Sequence, residues 1–196
     1  MKLLVLIILL LLFLIRPCMS QELMYTITWK GDSIGYLKAE REKVQDNEYY
    51  NINSNTEFRV LFRFNLNYQY ENEYRKGRLY SASAKNSLNQ KDRDQSSIIW
   101  QNNHYLLRVN DKTEKLQDQD IWFTVSKLYY TEPIGISTIF SERFGEFLTI
   151  DKLAKNKYAL TKPDGRKNIY FYEKGICQKV IVDNPIITIH FTLMDE

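Results

Sequence analysis

The sequence predicts an all-β domain with minor α content: a strongly curved antiparallel sheet or half-barrel with one or two short helices packed on it. Three observations carry this reading. Apolar and polar residues alternate along much of the chain. Short alternating runs are separated by turn residues at regular spacing. Only residues 118–130 change to helical spacing.

Taken in order, residues 24–30 read as a strand closed by Gly31-Asp32. Residues 34–44 pair back, and Gln45-Asp46-Asn47 turns into residues 49–56. From Phe58 to Tyr70 every even position is apolar or aromatic: Phe58, Val60, Phe62, Phe64, Leu66, Tyr68 and Tyr70. Period two puts these side chains on one face of a long strand, bent or bulged because of its length. Arg75-Lys76-Gly77-Arg78 forms a hairpin tip with residues 79–87 returning, and the polar residues 86–95 form a loop. Residues 96–100 and 105–109 make a hairpin about Gln101-Asn102-Asn103. Residues 147–153, 158–161, 169–172, 176–182 and 187–193 complete the series. Ile121, Val125, Leu128 and Tyr129 predict one short amphipathic helix, N-capped by Asp118 or Asp120 and ended before Pro133. It would plug an open end or concave face of the sheet.

The N-terminus sets the compartment. Lys2 precedes a run from Leu3 to Ile15 without a polar residue, followed by Arg16-Pro17-Cys18-Met19-Ser20. This pattern is a secretory signal peptide, too short to span a bilayer as a helix. Cleavage after about Ser20 gives a signal peptide over residues 1–20 and a single exported β-rich domain over 21–196, periplasmic or extracellular. Contact with a membrane then comes only through the removed leader. A lipid-modified Cys18 is the alternative, which Arg16-Pro17 fits poorly. Losing Lys2 and Arg16 cuts the basic residues from 27 to 25, against 24 acidic ones. That near-neutral balance predicts no nucleic-acid partner. Cys177 is the one cysteine left, so an intramolecular disulfide is excluded and the fold must hold by packing.

The motifs resemble a known family. They are a first hairpin containing Gly35, then Glu132-Pro133-Ile134-Gly135, Phe140-Ser141-Glu142-Arg143-Phe144-Gly145, Lys162-Pro163-Asp164-Gly165 and Tyr170-Phe171-Tyr172. The chain resembles an exported bacterial family of unknown function, a domain-of-unknown-function group of β-sheet proteins. In outline it is similar to the curved sheets of periplasmic lipid or lipoprotein carriers. The resemblance implies a fold and carries no activity with it.

Candidate chemistry is sparse. His104 sits in a turn and has no neighbours at metal-ligand spacing. A C-terminal hairpin pairing Val182 with Ile187 and Val180 with Ile189 would put Cys177 and His190 on one face, diagonal and out of contact. No third orienting group accompanies them. Asp118 and Asp120 read as caps. Asp92, Asp94, Glu132 and Glu142 show no paired arrangement, and no nucleophile elbow or phosphate loop occurs. The sequence therefore predicts no catalytic residues, no metal and no cofactor. The face of Phe58, Phe62, Phe64, Tyr68 and Tyr70 is either packed core or a groove for an acyl chain or apolar peptide. The expected function is a non-enzymatic envelope binding or carrier-like protein for an apolar small molecule, lipid or peptide. The alternative is an interaction module with a filled core, and a hydrolase ranks last.

Overall fold

The computed structural model describes residues 18–59, 61–184 and 187–195; the apolar run expected to be a signal peptide lies outside the described residues. Among these residues, the first strands are β1 (Cys18–Trp29), β2 (Asp32–Val44), β3 (Asn47–Arg59), β4 (Arg63–Arg75), β5 (Arg78–Leu88), β6 (Lys91–Gln101), β7 (His104–Val109) and β8 (Lys112–Gln117). A linker carrying a 3-10 helix, Val125–Tyr129, follows. Then come β9 (Thr138–Ser141), β10 (Glu146–Ala154), β11 (Lys157–Thr161), β12 (Lys167–Glu173), β13 (Ile176–Asp183) and β14 (Thr188–Leu193).

All fourteen strands form one antiparallel sheet, in the order β8-β7-β6-β5-β4-β3-β2-β1-β14-β13-β12-β11-β10-β9. Two meanders thus meet at the β1–β14 pair, and β8 and β9 become the edges. Two-residue turns build the meander. Lys76-Gly77 has φ values of 50° and 82°, and Asn102-Asn103 of 49° and 66°. Such doubly positive turns match the twist of paired strands. Register shifts after Ile27, Glu73, Asn86 and Phe171 add curvature.

The sheet curls until the β9–β10 turn rests on the inner face of β6 and β7. There Ser96 Oγ donates to the Glu142 carbonyl oxygen at 2.5 Å, and Arg143 pairs with Asp94. Gly145 lies so close that a β-carbon on it would be 2.6 Å from Val109 Cγ2. The two edges share no ladder, so the sheet is an open half-barrel. Edge β8 is exposed and carries Lys112 and Lys115, which discourage edge pairing. Edge β9 is covered by the linker through a parallel bridge from Thr124 to Phe140.

The linker runs through the concave side and fills one end. Ile121, Leu128 and Tyr129 are buried there among inward side chains such as Ile52, Tyr74, Ile98, Tyr105 and Val180. Tyrosine hydroxyls pin it. Tyr74 donates to Thr124 Oγ1 at 2.8 Å, Tyr172 donates to the Leu128 carbonyl at 2.8 Å, and Tyr105 accepts from Ile121 N–H at 3.3 Å.

The structure corrects four sequence expectations. Phe58 to Tyr70 is not one strand but the β3–β4 hairpin, with Leu61 and Phe62 in the bend. Arg59 pairs with Arg63, which leaves an odd number of residues between them. Even positions therefore face the same side in both strands, and the alternation runs through the turn unbroken. The predicted helix shrinks to the five-residue 3-10 turn, because long-range partners hold the preceding residues extended. Thr124 is its N-cap residue, without a side-chain cap bond, and Asp120 instead pairs with Arg78. Residues 86–95 are no loop: β5 and β6 extend to the two-residue turn Asn89-Gln90. In the C-terminal hairpin Val182 pairs with Ile189 and Val180 with Phe191, two residues from the expected register. Both registers group the apolar residues equally, so that criterion could not separate them.

Candidate functional site

The half-barrel keeps an internal cavity of about 460 Å³ between the linker and the strand-turn end. Its size falls within the range of small-molecule pockets. Its walls sort into layers by strand register. The deep part is apolar: Leu37, Ile52, Tyr70, Val125, Tyr129, Val180, Ile189 and Phe191. One step toward the turns lies a polar belt. Ser54 pairs with Tyr68, Tyr68 with Asn86 and Asn86 with Asp94, which places four polar side chains in one row across β3 to β6. Beyond the belt, Leu66, Leu88 and Val182 return the wall to apolar.

Arg143, delivered by the β9–β10 turn, closes the belt. Its Nη2 and Nε donate to Asp94 Oδ2 at 2.5 and 3.0 Å. The guanidinium lies 6.0 Å from the Tyr68 ring centroid and 5.0 Å from that of Phe144. With its amide turned, Asn86 accepts from Arg143 Nε at 2.7 Å. On the far wall Lys162 donates to the Asp183 carbonyl oxygen. Burial pulls the Lys162 ammonium below its ordinary range, against the opposing pull of Asp164 and Asp183. Burial pushes the Tyr68 and Tyr70 hydroxyls up, so both stay protonated donors. Two buried cavity atoms, Ser54 Oγ and Asn168 Oδ1, have no hydrogen-bond partner among the described residues. The cavity therefore offers an apolar chamber with a ring of hydrogen-bonding groups partway along it. That arrangement suits an amphiphile.

Of the five residues assigned to the groove face, Tyr68 and Tyr70 line the cavity. Phe58 is buried and stacks on Phe64 with ring centroids 5.3 Å apart, while Trp29 packs on Phe58 at 5.9 Å; these rings lie outside the cavity wall. Phe62 is 74% exposed, because it sits in the bend and not in a strand. Sequence reading missed Ser54, Asn86, Asp94, Arg143 and the far wall. Arg143 lies in the Phe140–Gly145 motif, but its pairing with Asp94 spans 49 residues and has no local signal.

The other flagged residues fall elsewhere. Gln178 is a bulge: Phe171 pairs with Lys179 and Tyr172 with Cys177. The bulge turns Cys177 to the inner face, so it and His190 lie on opposite faces, not on the shared one expected from sequence. Burial pushes the Cys177 thiol up to about 12. His104 Nδ1 lies 3.1 Å from the Asn102 carbonyl oxygen in its exposed turn. Among the described residues no group of three or more His, Cys, Asp and Glu side chains has metal-holding geometry.

The motifs and the open half-barrel agree with a family assignment. The profile of DUF6134, a domain of unknown function, matches residues 25–194, nearly the whole sheet. The chain belongs to the DUF6134 family. No curated protein matches this DUF6134 domain. Among solved structures it is similar to a beta-barrel-like protein of DUF1849, also a domain of unknown function, from Brucella abortus. The two are 11% identical with a TM-score of 0.54, over 92% of this chain and 96% of that one. At this identity the likeness is one of fold.

Proposed function

We propose that this DUF6134 protein is an exported, non-enzymatic binding or carrier-like protein of the cell envelope that holds one apolar small molecule in its half-barrel. The observation that carries the reading is the cavity of about 460 Å³, apolar at depth and belted by Ser54, Tyr68, Asn86 and Arg143. Such a space is costly to leave in a packed interior. It weighs against an interaction module with a filled core. An amphiphile, such as a lipid or fatty acid, would place its chain against Ile52, Val180 and Phe191 and its polar group at the belt. Export rests on the leader pattern of residues 1–20. Cleavage after Ser20 would leave Gln21 to Trp29 still paired with β2.

Native mass spectrometry of protein purified from the envelope tests this reading. The expected spectrum shows the chain beginning near Gln21 plus one lipid-sized adduct that organic extraction removes. A bare chain in every preparation, with no uptake of a fluorescent fatty-acid probe, would contradict it.

A further inference from the structure

The β3–β4 hairpin does not end where its neighbours end. β3 pairs with β2 only as far as Thr56, and β4 pairs with β5 only from Leu66 onward. Asn65 is still held by Asn89 of the β5–β6 turn, and beyond it Phe58 pairs with Phe64 and Arg59 with Arg63 within the hairpin alone. Two residue pairs at about 3.4 Å each carry the tip roughly 7 Å past the last bond to the β5–β6 turn, while β1 and β2 run alongside as far as Trp29, which packs on Phe58. At the tip stand Leu61, 81% exposed, and Phe62, 74% exposed. Other turns at this end of the sheet are polar or glycine-containing: Lys30-Gly31, Asn89-Gln90 and Asn110-Asp111. Among the described residues, two large, highly exposed apolar side chains stand together in a turn at this end of the sheet at this hairpin. Both are largely exposed, while the stem below them is held by Phe58, Phe64 and Trp29.

Charge selects the occupant. Exposed Arg59 and Arg63 flank the apolar tip directly. Arg63 shares its guanidinium with Glu57 at 3.2 Å, a water-exposed pair of the weak kind. An apolar apex with cations immediately behind it matches the order of layers in an anionic bilayer, acyl boundary first and phosphates next. β4 then runs from this tip straight into the cavity wall through Leu66, Tyr68 and Tyr70.

We propose that the β3–β4 tip is a membrane-docking element. Leu61 and Phe62 enter the headgroup–acyl boundary of an anionic lipid surface, Arg59 and Arg63 meet its phosphates, and the mouth of the cavity is thereby brought to the bilayer. This goes beyond the cavity reading and replaces the expectation that only the leader meets a membrane. Docking stands on the tip alone and needs no ligand in the cavity.

Vesicle co-sedimentation tests it with protein expressed from the full-length chain, on phosphatidylglycerol-containing and on pure phosphatidylcholine vesicles. The natural chain should bind the anionic vesicles, and more weakly as salt rises. Leu61→Ser with Phe62→Ser should lower the partition coefficient by about tenfold or more. Arg59→Gln with Arg63→Gln should lower it by about tenfold on anionic vesicles and little on neutral ones. Both pairs should keep the natural Tm, since neither packs the stem. Phe62→Trp should show quenching by brominated lipid. Binding equal in all three proteins would trace to the N-terminal leader and would overturn the proposal. Absence of vesicle binding would overturn it too, and would leave the envelope-ligand result untouched. So would tip-dependent self-association in ultracentrifugation without vesicle binding, which would assign the tip to a second copy of the chain.

Discussion

Glu142 is 1% exposed, yet its carboxylate is fully engaged. It accepts from the Val125 and Ser126 amides at 3.1 and 3.0 Å and from Asn72 Nδ2 at 2.7 Å. It supplies across space the cap that Thr124 does not give the 3-10 helix, and so fixes Val125 and Tyr129 at the cavity floor. Glu142→Ala would take the acceptor from the Val125 and Ser126 amides and leave Asn72 Nδ2 with Thr124 Oγ1 alone, and should cost about 3 kcal/mol, read as a lower urea midpoint at unchanged slope. Nothing local in the sequence marks this role. Glu142 sits in a turn motif, and its partners are 16 to 70 residues away. The same holds for the belt: Tyr68 and Tyr70 were legible from alternation, while Asn86, Asp94 and Arg143 meet only when the sheet curls. Phe62 shows the reverse error, since its parity fits the apolar face although its position is a bend.

At the scale of elements, strands and tight turns were largely legible because period two and turn residues are local signals. Asn102-Asn103 and Lys76-Gly77 announce their turns. The bend at Leu61-Phe62 carries no glycine, asparagine or proline, so it was invisible. Gln178 illustrates a second limit. A bulge changes which face Cys177 takes without changing the local pattern. Close approach of strands is testable at Gly35. A β-carbon there would lie 2.0 Å from the Asn55 carbonyl oxygen on β3. That contact is backbone and cannot swing aside. Gly35→Ala should therefore destabilise the domain by upward of about 3 kcal/mol, or prevent soluble expression, as measured by thermal and urea unfolding. Gly31→Ala, at φ 94° but with nothing within 4 Å of its β-carbon, carries backbone strain without a clash, and should be milder.

The whole molecule is a curled meander whose core includes many buried tyrosines. Burial pushes the hydroxyls of Tyr25, Tyr74, Tyr129, Tyr170 and Tyr172 above the ordinary phenolic range. A phenol raised in the folded state lends stability that is fully present below its unfolded value of about 10 and is lost as pH rises beyond it. Stability should thus hold up to about pH 10 and fall steeply above it. Phenolate absorbance should appear together with loss of far-ultraviolet circular dichroism, not before it. The all-β class and the open, curved sheet were legible in composition and periodicity; the meeting of two meanders at β1 and β14 was not, because that pairing joins the ends of the chain. The central claim is that the space inside this sheet is a ligand site. The most direct measurement is titration of a fluorescent long-chain fatty-acid probe into the natural protein and into Ser54→Trp, a substitution that fills the cavity at the polar belt. The account predicts one saturable site in the natural protein, weakened about tenfold or more by the tryptophan while the circular dichroism spectrum is kept. Equal binding by both proteins, or saturable binding by neither, would contradict it.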